Sequence, residues 1–148
     1  KLLIIMADVE FIFILALSLH SALDDIRSSV MPINKKNDLD SLADALTYWY
    51  TKTKRKVTYE YVVWQGINDK KSDAEALVRF CKIIPAKVNL IEYNPIDEGR
   101  FQQANDKAIE TYVQLLERNK IVVNVRRSRG KDIDAACGQL ANKTEIPV

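Results

Sequence analysis

Val57-Thr-Tyr-Glu-Tyr-Val-Val-Trp64 decides the fold, together with the two segments that follow it. β-Branched and aromatic residues dominate this stretch, as suits a strand on a buried, pleated surface. Gly66 to Lys70 reads as a loop. Ser72-Asp-Ala-Glu75 has the S-x-x-E form of a capping box and predicts a helix start. The apolar stripe of that helix is Leu77, Val78, Cys81 and Ile84, and Pro85 closes it. Lys87 to Tyr93 predicts the next strand, ended by Asn94-Pro95. A strand, a helix and a second strand joined by short loops imply a right-handed crossover and parallel pairing.

The same alternation extends both ways. Upstream, Phe11-Ile-Phe-Ile-Leu-Ala-Leu17 is a continuous apolar run, expected to be a strand covered on both faces. Asp24 to Ser29 predicts a short helix that stops before Pro32. Leu39, Leu42, Leu46 and Trp49 keep helical spacing, with Asn37 or Asp38 as N-cap. Downstream, Ile109, Tyr112, Val113 and Leu116 mark an amphipathic helix. Ile121 to Val125 predicts a last strand, and Ile133 to Leu140 a short helical turn. Strands and helices alternating in this way give an α/β chain with a parallel sheet. Residues 1–148 read as one α/β unit, since no Pro/Gly/Ser-rich linker divides them.

Composition limits the function classes. The chain has 148 residues, 47% hydrophobic and 28% charged, with a net charge of +2. Such values exclude a disordered chain. Four Gly, four Pro and two Cys exclude a collagen-like or disulfide-stapled one. The charge alone makes no case for nucleic acid, so any such argument rests on local clusters. The sequence begins with Lys1 rather than Met, so the natural start is expected upstream. Asp8 and Glu10 interrupt the apolar N-terminal stretch, so no membrane segment is expected. No signal-peptide cleavage site is expected either. Two cysteines without a disulfide framework point to the cytoplasm.

Polar residues at strand ends are the first candidate site. Ser18 and His20 end the first strand, and Asn94 ends the third. In parallel α/β folds the C-terminal strand ends share one edge, where ligands bind, so these residues are expected to converge. Each has a plainer reading: a hydroxyl satisfied by backbone, an exposed lone histidine, an Asn-Pro turn. Two basic clusters also stand out. Lys52, Lys54, Arg55 and Lys56 read as solvated surface. Arg126, Arg127, Arg129 and Lys131 lead into Asp132-Ile-Asp-Ala-Ala-Cys137. A cysteine beside several cations acquires thiolate character; the alternative for Cys137 is a small buried residue. Cys81, on an apolar helical stripe, reads as core. Glycine-rich phosphate loops and H-E-x-x-H, G-x-S-x-G and C-x-x-C motifs are all absent from the sequence.

Four stretches carry a family resemblance: Ala16-Leu-Ser-Leu-His20, Met31-Pro-Ile-Asn34, Val88-Asn-Leu-Ile-Glu-Tyr-Asn-Pro95 and Arg126-Arg-Ser-Arg-Gly-Lys-Asp-Ile-Asp-Ala-Ala-Cys-Gly-Gln-Leu-Ala141. Over roughly residues 15 to 143 the chain resembles the RlmN/Cfr family of radical S-adenosylmethionine enzymes. It is more similar to the housekeeping branch, which acts on 23S rRNA and tRNA, than to the resistance branch. The resemblance implies the C-terminal part of a radical S-adenosylmethionine partial TIM barrel, with a 4Fe–4S cluster in the whole enzyme. It implies methylation of carbon 2 of adenine in 23S rRNA and tRNA. Ser18, Leu19, His20 and Asn94 would then contact S-adenosylmethionine. Cys137 would be the methyl-carrying cysteine, needed because carbon 2 lies between two ring nitrogens and is too electron-poor to attack the methyl donor directly. Our own inference adds Arg126, Arg127 and Arg129 as RNA-phosphate contacts or thiolate-stabilising charges.

The chain also departs from the family. The cluster motif C-x-x-x-C-x-x-C, the second catalytic cysteine, the glycine-rich cofactor segment and the N-terminal RNA-binding extension are missing from this sequence. Ala86 stands where many relatives carry Cys. Two cysteines cannot supply the three thiolates of such a cluster, so the chain by itself is expected to be inactive and to hold no metal. A stand-alone α/β nucleotide- or S-adenosylmethionine-binding module and a thiol-redox protein using Cys137 are the competing readings. No membrane or DNA partner is expected. The first strand is expected to leave a sheet edge that pairs with another segment or another chain, so self-association is a further expectation.

Overall fold

The Val57 stretch is the second of four parallel strands in the computed structural model, which describes residues 14–95 and 99–127. The elements run β1 (Ala16–Ser18), α1 (Asp24–Val30), a 3-10 turn (Pro32–Lys35), α2 (Leu39–Thr53), β2 (Val57–Val63), α3 (Lys71–Cys81), β3 (Ala86–Glu92), α4 (Asp106–Arg118) and β4 (Val122–Arg126). The strands lie in the order β1-β2-β3-β4, each parallel to the next.

Spatial order that follows chain order is the mark of a singly wound sheet. A doubly wound sheet reverses direction and places helices on both faces, whereas a barrel keeps winding with its helices outside. Here α2, α3 and α4 share one core with Val57, Tyr59, Tyr61 and Val63 of β2 and Val88 and Leu90 of β3. These strand residues alternate along the chain, so they occupy one sheet face. Tyr59, Leu77, Leu90 and Leu116 are fully buried there, and burying a large apolar side chain is worth about 1.5–3 kcal/mol. This is the architecture of part of a TIM-type barrel, with helices on the outer face of the sheet.

Local chemistry explains the helix starts. Asp38 caps α2, its carboxylate accepting from the Ser41 N–H at 2.9 Å. Asn105 caps α4 by accepting from the Ala108 N–H at 2.8 Å. The expected Ser72/Glu75 box does not open α3. The helix begins at Lys71, and the Asp73 carboxylate accepts from the Lys70 N–H at 3.0 Å. Asp73 is the residue that can reach back because it sits at the third helical position.

The first strand also differs from expectation. Residues 11–13 of the apolar run lie outside the described residues. The described part is a strand of Ala16–Ser18 only, with Ser18 inside it. It is not covered on both faces: Ala16 and Ser18 are exposed, Leu15 and Leu17 are partly buried, and Leu19 is fully buried. Among the described residues, helices cover one face of this sheet and none covers the other, so apolar residues that read as a two-sided strand are sorted by face. Among the described residues no helix is long and apolar enough to cross a membrane.

Candidate functional site

The uncovered face carries a polar row that crosses all four strands. Register places Ser18 opposite Glu60, Glu60 opposite Asn89, and Asn89 opposite Asn124. Asn124 Nδ2 donates to Asn89 Oδ1 at 3.3 Å, and Asn89 Nδ2 donates to Glu60 Oε1 at 2.8 Å. Arg126 Nη1 lies 4.0 Å from Glu60 Oε2. The amides are therefore oriented in series toward one carboxylate. The Ser18 hydroxyl has no hydrogen-bond partner among the described residues. The candidate list from sequence lacks Glu60, Asn89 and Asn124, although a signal was present: each is a polar residue flanked on both sides by apolar or aromatic strand residues.

One layer further along, at the C-terminal edge, Val62, Ile91, Glu92, Tyr93, Asn94, Arg126 and Arg127 line a depression of about 350 Å³. Asn94, Arg126 and Arg127 are exposed there. His20 belongs to the same edge, since its Nδ1 accepts from the Val62 N–H at 3.2 Å. Its ring meets Trp64 edge to face, with centroids 5.5 Å apart. Trp64 in turn packs on Tyr93 and Phe101. The fold thus brings His20, Asn94, Arg126 and Arg127 to one edge. It places Ser18 a layer deeper, level with Glu60 and Asn89. Arg129 and Cys137 lie outside the described residues.

The residue after β1 is held rather than presented. Leu19 buries its side chain in the core, and its N–H donates to the Glu60 carbonyl at 2.9 Å. Its carbonyl accepts from Arg27 Nε at 3.1 Å. Arg27 is itself buried, bonded through Nη1 to Asn34 Oδ1, with Nη2 3.5 Å from the Ser18 carbonyl. Asn34 Nδ2 donates to Asp24 Oδ1 at 2.9 Å, and that carboxylate also accepts from the Leu39 N–H at 3.0 Å. The Met31-Pro-Ile-Asn34 stretch therefore folds back to brace the segment 18–20.

Electrostatics favour a neutral His20. Burial pushes its pKa below the ordinary value, the Arg27 charge pushes it the same way, and Glu60 opposes them. A main-chain N–H donating to Nδ1 leaves Nε2 as the protonated nitrogen of the neutral ring. Cys81 is different: it is buried, its thiol is pushed up to about 12 by burial, and it packs in the core as its helical position suggests.

The C-terminal edge combines apolar and charged groups. Its apolar wall of Val62 and Ile91 is bordered by the Glu92 carboxylate, the Tyr93 side chain, the Asn94 amide and the guanidinium groups of Arg126 and Arg127. The buried Trp64 Nε1 has no hydrogen-bond partner among the described residues, as is also true of Trp49 Nε1 and the Tyr59 hydroxyl. No group of three or more His, Cys, Asp or Glu residues that could hold a metal ion occurs among the described residues. The described residues do not fit an iron–sulfur cluster.

Comparison with known proteins gives a consistent pattern. The chain is 63% identical over 138 residues to a probable dual-specificity RNA methyltransferase RlmN of Flavobacterium psychrophilum, covering 93% of this chain and 40% of that protein. It is 48% identical over 143 residues to the protein of the same name from Cytophaga hutchinsonii, covering 97% of this chain and 39% of that one. The latter match takes in residues ahead of position 15, where the resemblance read from motifs stops. A radical SAM methyltransferase crystal structure from Sphaerobacter thermophilus superposes with a TM-score of 0.83 at 38% identity, covering 93% of this chain and 40% of that one. A domain of a pyruvate-formate lyase-activating enzyme from Bacteroides vulgatus shares the fold, with a TM-score of 0.61 at 12% identity, covering 76% of this chain and 66% of that one. No family model matches. The chain spans about 40% of the length of the curated relatives it matches.

Proposed function

From the premise that this chain belongs to the RlmN family of radical S-adenosylmethionine methyltransferases, we propose that it is the C-terminal part of a catalytic barrel that methylates carbon 2 of adenine in 23S rRNA and tRNA. On this reading residues 1–148 belong to one unit of that barrel, and its work is done in the cytoplasm. The supporting observation is the shared edge: His20, Asn94, Arg126 and Arg127 lie together at the C-terminal ends of a singly wound sheet, where barrel enzymes bind substrate.

S-Adenosylmethionine supplies the methyl group and, in this family, the oxidising power to functionalise it. Ser18 Oγ, the His20 Nε2–H and the Asn94 amide bind its polar groups. Leu19 contributes through position, since both of its main-chain groups are already bonded within the fold. Cys137 accepts the methyl as a thiolate: the new S–CH3 bond forms as the donor's C–S bond breaks, and its electron pair leaves with the neutral thioether. Arg126, Arg127 and Arg129 hold RNA phosphate or favour that thiolate. The cluster thiolates come from elsewhere in the enzyme, because this chain has only two cysteines. The β1 edge, which ends the sheet among the described residues, pairs there with a further strand of the barrel. A self-associated dimer through that edge is the outcome that would contradict this pairing.

The test compares the full protein that carries this chain, its Cys137→Ala variant and the isolated 148-residue chain. Mass spectrometry of digested 23S rRNA and tRNA reads 2-methyladenosine, and calorimetry reads S-adenosylmethionine binding. Loss of carbon-2 methylation in Cys137→Ala, with no activity in the isolated chain, is expected. Full methylation by the variant sinks the proposal. Tight S-adenosylmethionine binding by the isolated chain, with no methylation in any form, would favour the binding module instead.

A further inference from the structure

His20 stands in the left-handed region, with φ 58. A residue with a Cβ is disfavoured there, so something outside the dipeptide must hold it. Asn68 does. It is fully buried, and its Nδ2 donates to the His20 carbonyl and to the Val62 carbonyl, each at 2.8 Å. Its Oδ1 accepts from the Trp64 N–H at 2.7 Å. Its own main-chain carbonyl accepts from the Tyr112 hydroxyl at 2.6 Å, and that hydroxyl lies 3.1 Å from the Tyr61 hydroxyl. One side chain therefore ties the turn after β1 to the end of β2, and its backbone ties both to α4.

The bonds around His20 are complementary. Asn68 fixes its backbone, the Val62 N–H fixes its Nδ1, and Trp64 covers its ring. We propose that Asn68 is a positioning residue for the cofactor edge, holding His20 so that its Nε2–H is the donor offered to an acceptor atom of the ligand. The fitting ligand atom is a hydroxyl or carboxylate oxygen, as found on the ribose and amino-acid ends of an adenosylated amino acid. This claim rests on the reading that His20 contacts S-adenosylmethionine. Asparagine is specific to the task, because a carboxamide offers two donors and an acceptor in one small group. Aspartate keeps the acceptor, loses both donors and sets a charge against two carbonyls.

The experiment uses the full protein. Nitrogen-15 spectra of the imidazole, assigned by the signals missing in His20→Gln, report the tautomer at neutral pH. Wild type is expected to show the Nε2–H form alone. Asn68→Asp is expected to show a tautomer mixture and to raise KM for S-adenosylmethionine about 10-fold, with kcat at saturation within about twofold. A purely structural role would lower the folded, active fraction and so reduce kcat without moving KM. A wild-type ring in the Nδ1–H form overturns the proposal, and so does folded Asn68→Asp with unchanged KM. Should Asn68→Asp fail to fold, Tyr112→Phe, which leaves the Asn68 side chain intact, must raise KM in the same direction, and an unchanged KM overturns the claim. A protein that binds no S-adenosylmethionine, yet keeps the Nε2–H ring in wild type and loses it in Asn68→Asp, would instead sink the cofactor reading alone.

Discussion

Arg27 Nε donates to the main-chain carbonyl of Leu19 at 3.1 Å. The bond joins helix α1 to the residue that follows β1, within the segment that carries Ser18 and His20. The guanidinium is buried, and its other nitrogens reach Asn34 Oδ1 and the Ser18 carbonyl. The Asp24 carboxylate does not pair with it directly but binds Asn34 and the Leu39 N–H. Charge and amide therefore form one braced unit behind the site.

Arg27→Met removes every donor and leaves buried carbonyl and amide oxygens without partners. The expected loss is about 2–4 kcal/mol, read as a lower urea midpoint at unchanged slope. Arg27→Lys should recover under half of that, because an ammonium cannot reproduce the planar fork. A loss below about 0.5 kcal/mol would show that the brace contributes nothing.

His20 makes stability depend on pH. Its folded pKa lies below the ordinary 6.5, chiefly through burial. Between the folded and unfolded values the unfolded chain binds more protons, so stability rises with pH across that window. On acidification, stability falls from about pH 6.5 down to the folded pKa and then levels. Urea unfolding at pH 7 and pH 5 should show a larger loss in wild type than in His20→Gln. Equal losses would place the ring in solvent.

The carboxylate–amide row predicts two different outcomes at one position. Asn89→Leu leaves Glu60 Oε1 and Asn124 Nδ2 without their partners and should cost about 1–3 kcal/mol. Asn89→Asp should cost more at neutral pH, since it sets a second carboxylate against Glu60. That extra cost should shrink below about pH 4, where carboxylates protonate. Thermal melts across pH 3 to 7 check both.

Cys81 should be chemically silent in the folded protein. Its thiol is pushed up to about 12 by burial, so the reactive thiolate is almost absent at neutral pH. Peptide mapping after iodoacetamide should find Cys81 labelled only once denaturant unfolds the chain. Rapid labelling of the native protein would contradict its place in the core.

Much of this fold was legible because its signals are local. Leu42, Leu46 and Trp49 repeat at helical spacing and meet the core. Asp38 caps its helix as its residue type suggests. Tyr59 and Val88 sit in strands that β-branched and aromatic residues announce. The Ser72-x-x-Glu75 pattern misled because two overlapping acidic positions fit a cap, and only the backbone register chose Asp73. The site was half legible. His20 and Asn94 could be placed at one edge from strand polarity alone, but Asn68 reads in sequence as an ordinary loop residue.

By itself, the sequence determined the alternation of strands and helices, the parallel sheet that follows from it, and the family that the motifs resemble. Those properties depend on periodicity and residue type, which neighbours along the chain decide. Tertiary structure alone decided which sheet face stays open, which residues form the row from Ser18 to Asn124, and why Asn34 and Asn68 matter. These depend on strand register and on hydrogen bonds between segments far apart in the chain. A buried amide or guanidinium takes its role from the partners that folding brings to it, and no local pattern encodes them.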